Sequence, residues 1–205
     1  YIGIPTSARD PFACTQEMLI VDPRSRASRI LTVEGFFPRA VFFDPSLSVS
    51  LSEAYFSAVV LESVLSAVEG YLSANSSLVS DTLLEKAFSL SLAVLNRLID
   101  GEKYENLIPS VTEAGVLEAL AFSSTAKGPG TALAYALNGR LLAPKVAVTA
   151  ALAIPLLEHP GMIQGIERLA SACGESHQSL LDAVKRLVTA KGFSLRLQDL
   201  GMRKN

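Results

Sequence analysis

Ser50-Leu-Ser-Glu-Ala-Tyr-Phe-Ser-Ala-Val-Val-Leu-Glu-Ser-Val-Leu-Ser-Ala-Val-Glu-Gly-Tyr71 is the stretch on which the fold turns. Phe56, Val59, Val60, Val64, Ala67, Val68 and Tyr71 recur at helical spacing, not at the alternation of a half-buried strand. Ser50-Leu-Ser-Glu53 has the form of a capping box, in which serine accepts a first-turn amide and glutamate bonds back. The spacing predicts a helix from there to about Ser73.

Downstream the helical pattern repeats. A second helix is expected from near Ser80-Asp81 to Ile99, stopped by Asp100-Gly101. Ser110-Val-Thr-Glu113 has the capping-box form again and opens a third helix, to about Phe122. Further helices are expected over Thr131–Leu142, Lys145–Leu157, Gly161–Ala172 and Ser176–Ala190, punctuated by Gly128-Pro-Gly130, Pro144, His159-Pro-Gly161 and Gly174. Val146–Leu157 carries no charge, which suits a helix in the middle of a bundle. Upstream, Met18–Val21, Ser28–Val33 and Ala40–Phe43 read as short strands closed by Asp22-Pro23 and Asp44-Pro45, with Asp22-Pro-Arg-Ser-Arg as a hairpin turn. The expected class is mainly α. A β-rich leading segment spans 1–49, and an all-α bundle over 50–205 makes one structural unit with it.

Composition narrows the function classes. Of 205 residues, 49% are hydrophobic and 19% charged, ample for a core and too apolar for a disordered chain. The net charge of −2 gives no field for nucleic-acid phosphates. Neither of the longest uncharged runs, Gly128–Gly139 and Val146–Leu157, approaches the roughly 20 apolar residues of a membrane-spanning helix. Cys14 and Cys173 form no CxxC motif, so a reducing cytoplasm is the expected compartment. The chain starts at Tyr1 without an initiator Met or a signal peptide, and reads as a fragment of a longer protein.

Four segments in order resemble the iron-containing alcohol dehydrogenase superfamily. Ile2-Gly-Ile-Pro-Thr-Ser-Ala8 is similar to its IPTTAGTGSE strand and loop, and Phe37-Pro-Arg-Ala-Val-Phe-Phe-Asp-Pro-Ser-Leu47 to its P-x-x-x-x-x-D-P-x-L strand. Leu61-Glu-Ser-Val-Leu-Ser-Ala-Val-Glu-Gly-Tyr71 resembles its GMDALTHAIEAY helix, and Gly192-Phe-Ser-Leu-Arg-Leu-Gln-Asp-Leu-Gly201 its late L-R-D-L-G segment. The resemblance implies the family's C-terminal helical domain without the dinucleotide-binding domain. It also implies NAD(P) and Fe or Zn as the family's cofactors, with none held by this chain alone. The family's chain continues past L-R-D-L-G, so apolar surface and self-association into a homo-oligomer are expected.

The same resemblance locates the site. The family holds its metal with an aspartate and histidines; the corresponding positions here are Glu62, Ser66, Tyr135 and Lys145, and all four depart from the pattern. A serine hydroxyl stays protonated, and a charged lysine brings positive charge where a cation should sit. No metal ligand set is therefore expected. Thr6 and Ser7 match the hydroxyl pair that helps bind the coenzyme, whereas Arg9-Asp-Pro-Phe-Ala13 replaces the family's Gly-rich continuation.

Other motifs have plain readings. Glu62 and Glu69 share a helix face about 10 Å apart, a spacing open to an acid–base pair but more readily structural. Lys127-Gly-Pro-Gly-Thr131 has the look of a phosphate cradle but lacks the P-loop pattern, and is read as a tight turn. His159 and His177 lie outside the ligand motifs, no nucleophile elbow is present, and Arg186, Lys191, Arg196, Arg203 and Lys204 against Asp199 read as a solvated end.

Three functions stand at this point. One is an inactive or repurposed homologue with a degenerate metal site. Another is a metal-independent or altered-site NAD(P)-dependent alcohol or aldehyde oxidoreductase whose coenzyme domain is absent from this chain, with Tyr135 and Lys145 as catalytic candidates, provided the lysine lowers the phenol pKa. The last is a non-catalytic helical binding or dimerisation module.

Overall fold

A computed structural model describes residues 1–25, 27–138, 141 and 144–202. Four strands come first. β1 (Ile2–Gly3) pairs in parallel with β4 (Ala40–Val41), and β2 (Glu17–Asp22) pairs antiparallel with β3 (Ala27–Thr32) in a register that sets Leu19 opposite Ile30. The Asp22 carboxylate accepts from Arg24 N and Ser25 Oγ, so the expected turn is locally stapled. A 3-10 turn over Pro45–Ser48, capped by Asp44, leads into the helices.

Among the described residues seven helices follow: α1 (Glu53–Tyr71), α2 (Leu78–Ile99), α3 (Ile108–Ala121), α4 (Pro129–Asn138), α5 (Lys145–Leu157), α6 (Pro160–Ala172) and α7 (His177–Ala190). The chain is mainly α, as its periodicity predicts.

α1 is the axis of the molecule. Every residue from Phe56 to Gly70 is buried, and α2, α3, α4, α5 and α6 all pack on it. A helix wrapped on all sides has no polar face to give up, which is why its non-apolar positions are mostly small serines. Ser57 returns its hydroxyl to the Glu53 carbonyl at 2.8 Å, and Ser63 and Ser91 bond each other at 2.8 Å across the α1–α2 contact. Phe56, Leu61, Phe88, Leu95 and Ile166 are fully buried around this axis, each stabilising the fold by about 1.5–3 kcal/mol.

Several helix starts differ from expectation. The cap of α1 is Ser52, whose Oγ accepts from Tyr55 N, and not Ser50; a serine one position before Glu53 leaves the acid in the first turn rather than closing a box. α2 begins at Leu78 because Ser77 and Ser80 form the reciprocal box with two hydroxyls. α3 begins before Ser110: Pro109 sits in its first turn, where a missing N–H costs nothing, and no side chain caps it. α2 does end where Asp100-Gly101 predicts, with Gly101 at φ +85°. Arg26, Leu142, Arg203 and Lys204 lie outside the described residues.

Candidate functional site

The first link of the site is a loop residue that carries its charge inward. Ala8 is fully buried, Arg9 is 5% exposed, and the loop lies against Gly115 of α3. From there Arg9 donates Nε and Nη2 to one oxygen, Oε2 of Glu118 on α3, at 2.9 and 2.7 Å. Its Nη1 stands 3.2 Å from Oε2 of Glu62 on α1. Ser63 donates to the other Glu118 oxygen. A guanidinium suits this place because its planar fork can serve two carboxylates on different helices at once.

Lys145, the first residue of α5, completes the cluster: its Nζ touches Oε1 of Glu62 and lies 4.3 Å over the ring of Tyr135. Both oxygens of Glu62 are thus engaged by cations of the same chain. Phe12 packs against Tyr135 in a tilted arrangement, ring centroids 5.7 Å apart. Between the 4–12 loop, α1, α4 and the start of α5 opens a cleft of about 470 Å³, floored by Arg9, Glu62, Tyr135 and Lys145 and walled by apolar groups such as Ile4 and Val59.

Burial dominates the electrostatics. It raises Glu118 above the usual carboxylate range, against the pull of Arg9 and Ser63. It pushes the Tyr135 phenol up to about 12, with Arg9 opposing and Asp10 adding. Burial first and Arg9 second lower the Lys145 ammonium to about 6, with Asp10 opposing.

Of the residues singled out from sequence, Thr6, Ser7, Glu62, Tyr135 and Lys145 all line this cleft, although they come from four separate segments. The Ser7 hydroxyl is spent on the Arg9 carbonyl at 2.8 Å. Ser66 is buried one turn beyond Glu62 and is not part of the cleft lining. Glu62 and Glu69 do not act as a pair. Glu69 instead accepts from Gly130 N at 2.5 Å and from the amide and hydroxyl of Thr131 at 3.1 and 2.5 Å. The phosphate-cradle resemblance has the same explanation: the N-terminus of α4 already holds an anion, the chain's own carboxylate. Lys127 pairs with Glu17 at 2.6 Å and lies over Phe12, binding β2 to that loop. His159 caps α6 through Nδ1, and His177 Nε2 bonds the Leu157 carbonyl at 2.8 Å, so both are structural.

Arg9 is the functional residue that the sequence reading passed over. Its signal lay elsewhere in the chain: Glu62 and Glu118 both sit in apolar helical runs, and buried acids call for an internal cation.

The geometry has well-matched counterparts. Over 98% of this chain, the structure superposes on 1,3-propanediol oxidoreductase with a TM-score of 0.84 at 20% identity. Over 90%, it superposes on the iron-containing alcohol dehydrogenase of Thermotoga maritima with a TM-score of 0.74 at 22% identity. This is the C-terminal-domain fold of the iron-containing alcohol dehydrogenase superfamily. The chain also superposes on the sulfoacetaldehyde reductase of Bifidobacterium kashiwanohense, with a TM-score of 0.82 over 99% of its length at 20% identity. In sequence, the 1-propanol dehydrogenase of Salmonella typhimurium is 25% identical over 177 residues, 84% of this chain and 48% of its own length. The chain spans about half the length of the relatives it matches, 55% for the reductase and 56% for the propanediol enzyme. No protein-family model matches it.

Among the described residues no group of three or more His, Cys, Asp or Glu side chains converges. The one carboxylate at the expected place, Glu62, already has a cation on each oxygen. Arg9 and Phe12, from the segment that the resemblance aligns with the family's Gly-rich continuation, both line the cleft. Among the described residues, no single helix is long and apolar enough to cross a membrane.

Proposed function

We propose that this chain is the cleft-forming half of an alcohol-dehydrogenase-like protein of the oxidoreductase type whose metal site has been exchanged for an internal ion cluster. As this chain it does not carry out metal-dependent alcohol oxidation, and its cleft is repurposed for binding a small molecule. The observation that carries the reading is the double occupation of Glu62, with Arg9 on one oxygen and Lys145 on the other. A metal would have to displace a guanidinium and an amine that already lie against a buried carboxylate. The named relatives handle 1-propanol, 1,3-propanediol and sulfoacetaldehyde, which supports a short alcohol or aldehyde as the ligand class.

The Tyr135–Lys145 oxidoreductase has less support. It needs a lysine that lowers the phenol pKa, whereas here the ammonium lies over the ring face and burial holds the phenol at about 12.

Metal content tests the reading. Protein purified without chelator from iron- and zinc-supplemented culture is expected to hold far less than one equivalent of either by elemental mass spectrometry. Near one equivalent, lost on Glu62→Ala, would falsify the exchange.

A further inference from the structure

The cleft places a primary amine where ordinary lysines are not found. Lys145 sits on its floor with a side chain 18% exposed, at the positive end of α5, beneath an aromatic ring and against a carboxylate. Each neighbour has a chemical consequence. Burial first and the nearby Arg9 second disfavour an ammonium. Glu62 is a proton acceptor already in contact with Nζ. Ile4, Phe12, Leu19 and Val59 give the cleft apolar walls, and its volume of about 470 Å³ admits a small organic molecule beside the amine. A nucleophilic amine, a carboxylate touching it to carry protons and a cleft that admits the carbonyl are what addition requires.

We propose that Lys145 captures a small aldehyde in this cleft as a covalent imine, with Glu62 carrying the proton. Glu62 takes a proton from the ammonium, and the freed nitrogen pair attacks the carbonyl carbon as the C=O π bond opens. The carboxyl returns its proton to the oxygen, giving a carbinolamine. Glu62 then takes a second proton from nitrogen and delivers it to the hydroxyl; water leaves and the C=N bond forms. Aldehyde plus lysine ammonium becomes protonated imine plus water. No oxidant or reductant is consumed, and the iminium keeps the positive charge that Glu62 faces. The reaction uses no metal and no coenzyme.

The inference rests on the metal-free reading of the same cleft, and the two fail apart. Bound metal would sink that reading, whereas a metal-free chain with an unreactive Lys145 would sink only the capture.

The test is reductive trapping. The 205-residue chain is incubated with propanal and cyanoborohydride at neutral pH and mapped by peptide mass spectrometry, each lysine serving as a control for the others. The expected result is a single propyl adduct on Lys145 at aldehyde concentrations that leave the exposed Lys86 and Lys103 unmodified. Lys145→Arg, which keeps the charge, removes that adduct, and Glu62→Gln slows it by about a hundredfold. Labelling spread over the lysines according to exposure, with Lys145 not first, would overturn the proposal. So would undiminished single-site labelling in Lys145→Arg.

Discussion

Arg9 sets the energetics of the cleft because it is the shared countercharge of two buried acids. Replacing it with methionine keeps much of the volume but leaves Glu118 with only a serine hydroxyl. Breaking one side of a buried pair is expected to cost about 3–5 kcal/mol, read as a drop in the urea midpoint of Arg9→Met. The double variant Arg9→Met/Glu118→Gln should recover part of that loss, because the uncompensated charge goes with its partner. A single-variant loss below about 1 kcal/mol would mean that Glu118 is already neutral in the folded protein. Tyr135 supplies a pH signature. The folded phenol keeps its proton to about 12, whereas an unfolded one releases it near 10. Between those values the folded state binds more protons, so this contribution is intact below pH 10 and stability falls as pH rises through the window, by up to about 1.4 kcal/mol per unit. Tyr135→Phe should flatten that part of the profile measured by chemical denaturation.

At the scale of elements, the packing of the 4–12 loop on α3 holds Arg9 in place. Gly115 lies in the middle of α3, where alanine would ordinarily gain about 1 kcal/mol in helix propensity. Here a Cβ would come within 2.9 Å of the Arg9 Cα and press on the Ala8 carbonyl, atoms of a backbone with no rotamer to escape into. Gly115→Ala is therefore expected to destabilise the chain by about 1–3 kcal/mol, visible as a lower thermal midpoint, and to loosen the Arg9 ion pairs. A higher midpoint would show that the loop is not held against α3. Elements also mark the limits of reading a sequence. The helices around α1 were legible because burial imposes a period that any single helix displays. Their first residues were less so, since serines at 50, 52, 77 and 80 all offer plausible caps and only the path of the entering chain selects among them.

For the whole molecule, the helical bundle and the β-strand strip differ in how well they are covered. Most large apolar side chains of the bundle are buried, Leu78 and Val79 at the start of α2 being exceptions, whereas Tyr1, Ile4, Phe36, Phe37 and Phe42 are 41–59% exposed, with Tyr1 and Phe36 stacked at 4.6 Å. Exposed apolar surface of this kind supports the expectation of self-association. The mass measured by light scattering should rise with protein concentration, and Phe37→Ser/Phe42→Ser should reduce that rise; a concentration-independent monomer mass would rule it out.

The mainly α class and the order of elements are properties of local pattern, and the sequence determined them alone. Periodicity, caps and motifs each act over a few residues, so they survive being read one segment at a time. What Glu62, Tyr135 and Lys145 do was decided only by tertiary structure. Their chemistry depends on Arg9, which is 53 residues before Glu62 and 136 before Lys145 in the chain, and on how completely water is excluded around all four. The same holds for Glu69, an acid of no stated purpose in sequence until α4 folds back to present its amides. Charge pairing and desolvation are set by distance in space, and a sequence records distance only along the chain.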